Sequence, residues 1–197
     1  MIPRTLLVIL ATVLVATASS VSVWPDPEKL RPACEEFLQS LDAPRIAKEY
    51  PKAIQNLLSL DCEKQIRGIR TLLGTDELEI LPWIVPFLDS KGQSVQIEAG
   101  FAIQKLVSDY TLKRRDHTVL DRVAIKPLGP TDPDLRPLAW IAAKMLSADE
   151  RGSLGGYAMT MIRCLKLKEF EPGLRDVART DSPRAGEANE AVRDINE

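Results

Sequence analysis

Histidine is nearly absent from this 197-residue chain, with one copy at position 117, and aromatic residues make up only 5% of it. One imidazole cannot build the multi-histidine sets that zinc and iron sites draw on, and a His-Glu-x-x-His pattern is impossible. Cys34, Cys62 and Cys164 are far apart and none belongs to a Cys-x-x-Cys pair, so zinc-ribbon and thioredoxin-type chemistry have no ligand set. The glycine-rich phosphate patterns GxGxxG and GxxxxGK[ST] are missing, as are Gly-x-Ser-x-Gly and Ser-x-x-Lys. His117, beside Asp116, has no nucleophile or carboxylate motif to serve and reads as a solvated loop histidine. Glu35, Glu36 and Glu63 fall on exposed helical faces. No catalytic residue, cofactor or metal is expected. The net charge of −2 gives no general reason to expect nucleic acid or anionic lipid as a partner.

The amino end carries the pattern of a secretory signal. Arg4 precedes an apolar run from Leu6 to Ala16, and Ala16-Thr17-Ala18 offers the small residues a signal peptidase reads. The run is about a dozen residues where a membrane span needs about 20. Residues 1–18 are therefore expected to be a cleaved signal peptide, an uncleaved anchor being the other reading. Its removal takes away Arg4 and no acid, which moves the net charge from −2 to −3. Export places the protein in the periplasm or outside the cell, with no membrane span left after cleavage. There, three cysteines suggest one disulfide and one spare thiol. Cys34 shares an apolar helical face with Phe37, Leu38 and Leu41, and Cys62 opens a helix nearby in the chain, so a Cys34–Cys62 bridge is expected.

What the chain does have is a recurring helix. Ala99-x-x-Ala102-Ile103-x-x-Leu106 returns as Ala158-x-x-Met161-Ile162-x-x-Leu165 and as Ala188-x-x-Ala191-Val192-x-x-Ile195, with a weaker copy at Ile69-x-x-Leu72-Leu73. Val95, Ala99, Ala102, Ile103 and Leu106 make one continuous stripe on a 3.6-residue helix. Ile97 and Phe101 lie off that stripe, as expected of a helix pressed from two sides. Each copy follows a first helix and a short turn containing an aspartate. The first helix before Val95 spans about Leu78 to Leu88, and Pro82 and Pro86 are expected to break it. Leu135, Leu138, Ala139, Ala142 and Leu146 mark another first helix. Ser182 and Pro183 mark the start of the last helix. Strand-length β-branched alternation is lacking, so the fold class is all-α. Repeats of this period stack as helical pairs.

This two-helix unit, with its turn aspartate and its Ala-x-x-Ala-aliphatic-x-x-aliphatic second helix, resembles the HEAT family in its short, HEAT-like form, over roughly residues 51–197. Gln96 stands where that family usually carries an arginine. The resemblance implies antiparallel helix pairs stacked into a short right-handed α-solenoid (HEAT-like or armadillo-like) that binds partners along a concave face, and it implies no catalytic residues. Residues 19–50 then form an N-terminal linker and helix.

The step from Ala99 to Ala158 is about twice the others. Residues 108–133 hold Lys113, Arg114, Arg115 and His117, a short apolar stretch and the breakers Pro127, Gly129 and Pro130. We read this stretch as an insertion, a degenerate repeat being the other reading, and take Lys113, Arg114 and Arg115 as candidate partner-binding residues. Three functional classes follow. The leading one is a non-enzymatic scaffold outside the cytoplasm that binds a protein partner. The second is an accessory or lyase-like HEAT-repeat protein acting on a cofactor-bearing partner. The third is a structural subunit of an envelope assembly.

Overall fold

The computed structural model describes residues 24–112, 133–150 and 152–197, and among them every regular element is a helix. The expected signal peptide, the basic triplet Lys113, Arg114 and Arg115, and His117 lie outside the described residues. The α-helices are α1 (Pro27–Ser40), α2 (Ala43–Glu49), α3 (Pro51–Leu57), α4 (Cys62–Leu73), α5 (Leu81–Ile84), α6 (Gln93–Leu112), α7 (Ala139–Asp149), α8 (Ser153–Leu165), α9 (Glu171–Ala178) and α10 (Ala185–Asn196).

Local chemistry sets most of these boundaries. The Asp26 carboxylate accepts from the Glu28 amide at 3.1 Å with Pro27 in the first turn of α1, and Asp42 accepts from the Arg45 amide at 3.2 Å to start α2. Pro51 forbids α2 from running into α3, because the residue before a proline is driven out of the helical region. Two turn aspartates bond to nearby amides, and the first of them caps its helix. Asp61 accepts from the amides of Glu63 (2.8 Å) and Lys64 (3.3 Å), and Asp149 accepts from the Gly152 amide (2.8 Å) just before α8. Pro82 and Pro86 break residues 78–89 into a 3-10 turn, the single α-turn of α5 and a second 3-10 turn. The last helix begins later than Ser182 and Pro183 imply. The Ser182 hydroxyl accepts from the Arg184 amide at 3.2 Å, its carbonyl accepts from the Ala185 amide at 2.9 Å, and α10 starts at Ala185.

Helices adjacent in the chain pack as pairs: α3 on α4, the 3-10 turn at 85–89 on α6, α7 on α8, and α9 on α10. The second members also touch in series, α4 on α6, α6 on α8 and α8 on α10. The small residues of the signature permit this, since Ala99, Ala102, Ala158, Ala188 and Ala191 are all completely buried. Gly68 serves the α3–α4 contact in the same way, as a Cβ there would stand 2.9 Å from the Ala53 carbonyl oxygen. Gln96 ties α6 to the preceding unit by donating from its side-chain amide to the Leu88 carbonyl at 2.7 Å. Residues 108–112, which the sequence reading assigned to the start of the insertion, continue α6. There Thr111 is buried and donates to the carbonyls of Val107 and Ser108 at 2.9 and 3.0 Å.

The N-terminal helices are part of the same core rather than an appendage. α1 packs on α7 and α5, α2 packs on α3 and α5, and Cys34 and Ile46 are fully buried in the common cluster. Ahead of α1, Trp24 packs on Phe170 with ring centroids 6.4 Å apart, and the Trp83 indole donates to the Ala43 carbonyl at 2.9 Å. Each fully buried Leu, Ile or Phe in this cluster contributes about 1.5–3 kcal/mol. The expected Cys34–Cys62 bridge is not formed: all three cysteines are free. Cys34 is buried on α1, a helix that packs on α7, while Cys62 is exposed at the first turn of α4, a helix that packs on α3 and α6 instead. Burial, reinforced by the neighbouring Glu35, pushes the Cys34 thiol up to about 12.

Candidate functional site

A groove of about 450 Å³ is lined by three members of the series, α6, α8 and the head of α10. Gln104 on α6, Ser153, Tyr157, Thr160 and Arg163 on α8, and Arg184 and Glu187 at the head of α10 line it. The spacing of the α8 members, at i, i+4, i+7 and i+10, keeps them on one helical face, opposite the buried Ala158, Met161, Ile162 and Leu165.

Two arginines organise the groove. Arg163 donates from Nε to Asp194 at 2.8 Å and places Nη1 3.2 Å from Glu190. Arg184 donates from Nη1 to Glu187 and from Nη2 to the Gly152 carbonyl, both at 2.6 Å. Its guanidinium lies against α8 where Gly156 lacks a side chain, since a Cβ at that position would stand 2.8 Å from the guanidinium carbon. Among the described residues, Arg184 Nε is the buried side-chain nitrogen or oxygen that makes no hydrogen bond. A buried donor left this way costs about 1–3 kcal/mol relative to a paired one.

Phe101 borders the groove one helical turn from Gln104, and it is 38% exposed. Its ring packs on Tyr157, centroids 5.9 Å apart at 60°. The sequence expectation that Ile97 and Phe101 mark a second covered side of α6 therefore holds only in part: Ile97 is half-buried, and Phe101 keeps a face open. Leu58 and Leu60 are the other large exposed apolar side chains among the described residues, and they sit apart, in the α3–α4 turn. At the α4 end of the face, Arg70 makes a two-pronged pair with Glu98 at 2.8 and 2.9 Å, and these bonds raise the guanidinium further above its ordinary value.

Among the described residues, no sequence-predicted site residue belongs to this face. Lys113, Arg114 and Arg115 lie outside the described residues, and Cys34 and Cys62 stand elsewhere. The signal that could have found this face is Phe101, an aromatic off the core stripe of a helix whose stripe is already complete, which the sequence reading assigns instead to a second covered side. Among the described residues no group of His, Cys, Asp and Glu side chains could hold a metal ion, and no helix is long and apolar enough to cross a membrane. The groove offers hydroxyl, amide and guanidinium donors beside an aromatic pair, with every arginine already balanced by a carboxylate. That arrangement suits recognition by hydrogen bonds and ring contacts. Comparison with known proteins returns no matching family model, no similar curated protein and no similar solved structure.

Proposed function

We propose that this chain is a short α-solenoid of the HEAT-like kind, exported by its N-terminal signal, that acts without catalysis as a scaffold for a protein partner. The observation that supports it is the partly exposed Phe101–Tyr157 pair beside a groove built from three successive helices of one series. Aromatic side chains at the centre of a contact surface, with arginines beside them, carry a disproportionate share of protein binding energy. The apolar signature residues are spent on stacking, so the residues between them on the open face are free to vary with the partner. Affinity capture from the exported fraction with the wild-type protein and with Phe101→Ala tests the reading. A protein retained by the first and lost by the second supports it. Equal capture by both would remove this face from the partner surface, and the same experiment with Lys113, Arg114 and Arg115 replaced by serine tests the basic triplet.

One observation favours a second reading, the accessory protein acting on a cofactor-bearing partner. A groove of about 450 Å³ falls within the size range of small-molecule sites. Under that reading, a small molecule co-purifies with the protein and is lost in Tyr157→Ala. A wild-type protein that carries none in native mass spectrometry sinks it.

A further inference from the structure

The open face changes sign from one end to the other. α4 carries Lys64, Arg67 and Arg70 against Glu63 alone, while α10 carries Glu187, Glu190 and Asp194 against Arg193 alone. The ion pairs that join neighbouring helices sharpen this, because their two members are not equally exposed. In the Arg70–Glu98 pair the arginine side chain is 67% exposed and the carboxylate 14%. At the other end the order inverts: Glu190 is 55% exposed against 32% for its partner Arg163, and Glu187 is 50% exposed against 18% for Arg184. Asp194, which also pairs with Arg163, is the inward member there at 16%. A ligand therefore meets cations at the α4 edge, carboxylates at the α10 edge, and Phe101 on Tyr157 between them. The three zones share one side of the series: Glu98 and Gln104 flank Phe101 by one helical turn each, and Arg163 and Glu187 line the same groove as Gln104 and Tyr157.

We propose that the face binds a bipolar segment of a partner protein, with a carboxylate on Arg67 and Arg70, an apolar side chain over Phe101, and a cation on Glu187 and Glu190. The proposal rests on reading this face as the partner surface and adds what the partner must look like. A segment of one sign is opposed at one end or the other, since like charges brought together at an interface are strongly unfavourable. The same argument disfavours polyanions and anionic membranes. Spacing follows from packing. Neighbouring helices stand about 8–10 Å apart and an extended chain advances about 3.3 Å per residue. The segment thus carries its acid about three residues from the apolar anchor and its base about five or six residues beyond it, on the other side.

The test is selection of a random twelve-residue peptide display library on the purified protein, followed by fluorescence polarisation of the enriched peptides on wild type, Phe101→Ala, Arg70→Glu, Arg67→Glu and Glu190→Arg. Thermal melts confirm that each variant is folded, and Arg67→Glu stands in if Arg70→Glu is not. The expected peptides place an acid and a base on opposite sides of an aromatic or leucine. Each charge reversal lowers their affinity by about tenfold, and reversing the matching charge in the peptide restores it. Peptides of one sign that bind wild type and fail on Phe101→Ala overturn the bipolar segment and leave the face as the partner surface. Binders indifferent to Phe101→Ala overturn both. A library without enrichment overturns a linear segment, and a dimer in light scattering that Arg70→Glu abolishes assigns the face to a second copy instead.

Discussion

Phe170 and Phe101 are the same residue in two parts of the molecule, and their surroundings differ completely. Phe170 precedes α9, is fully buried and packs against Trp24, the residue just ahead of α1. Phe101 is in the middle of the α4, α6, α8, α10 series and keeps more than a third of its surface in solvent. One side of the helical stack is closed by the chain's own N-terminal helices, and the other is left open. Apolar surface on the closed side contributes to stability. The aromatic pair on the open side is incompletely buried.

The contrast breaks first at the two phenylalanines. Phe170→Ala is expected to cost about 3–5 kcal/mol in urea unfolding, the range for emptying a fully packed aromatic site. Phe101→Ala is expected to cost about 1–2 kcal/mol in the same measurement, because more than a third of the side chain is already in solvent. Equal costs would mean that the open face is as much a part of the core as the closed one.

The second prediction concerns Cys34, on the closed side. Its folded-state value of about 12 lies above that of an unfolded thiol, near 8.5, so the unfolded chain loses the proton first. Stability contributed by the neutral thiol is therefore complete below about pH 8.5 and is lost as the pH climbs toward 12, by at most about 1.4 kcal/mol per unit. Cys34→Ala is expected to flatten that slope. In the native protein near neutral pH, iodoacetamide is expected to modify Cys62 and spare Cys34, read by peptide mapping; equal labelling would show that α1 does not cover its side.

Two glycines sharpen the comparison by opposite signs. Gly68→Ala forces a Cβ against Ala53 and Leu57 between α3 and α4 and is expected to destabilise by about 1–3 kcal/mol. Gly186→Ala, on α10 with no atom within 4 Å of the new Cβ, is expected to stabilise by about 0.5–1 kcal/mol. The smallest effect belongs to Arg70→Ala. An arginine that is two-thirds exposed makes a surface pair of about 0–1 kcal/mol, so thermal unfolding is expected to move little even if partner binding is lost.

Much of the helical plan was readable in advance. Val95, Ala99, Ala102, Ile103 and Leu106 are all buried, as their periodicity requires, and so are Ala158, Met161, Ile162 and Leu165. Asp61 caps the helix that follows it, and Pro82 and Pro86 interrupt the segment where they stand. Other features were not readable. Nothing in the pattern of α1 says that it crosses to α7, because an apolar face announces burial and not its partner. The free Cys34 and Cys62 follow from that crossing, which separates two helices that lie close in the chain. The arginine pairs of the groove join residues about thirty apart, Arg163 with Asp194 and Arg184 with Gly152, and charge spacing within a single helix cannot reveal them.

Helix positions, their starts at capping aspartates and prolines, and the small residues that let helices approach are local matters, written in three- and four-residue spacings. They follow from backbone hydrogen bonding and side-chain volume within one turn of the chain. Which side of the stack is covered, which aromatic stays in water and which member of each ion pair faces outward depend on elements far apart in the chain. Those outcomes emerge only when the helices meet, because burial and exposure are properties of neighbours and not of residues.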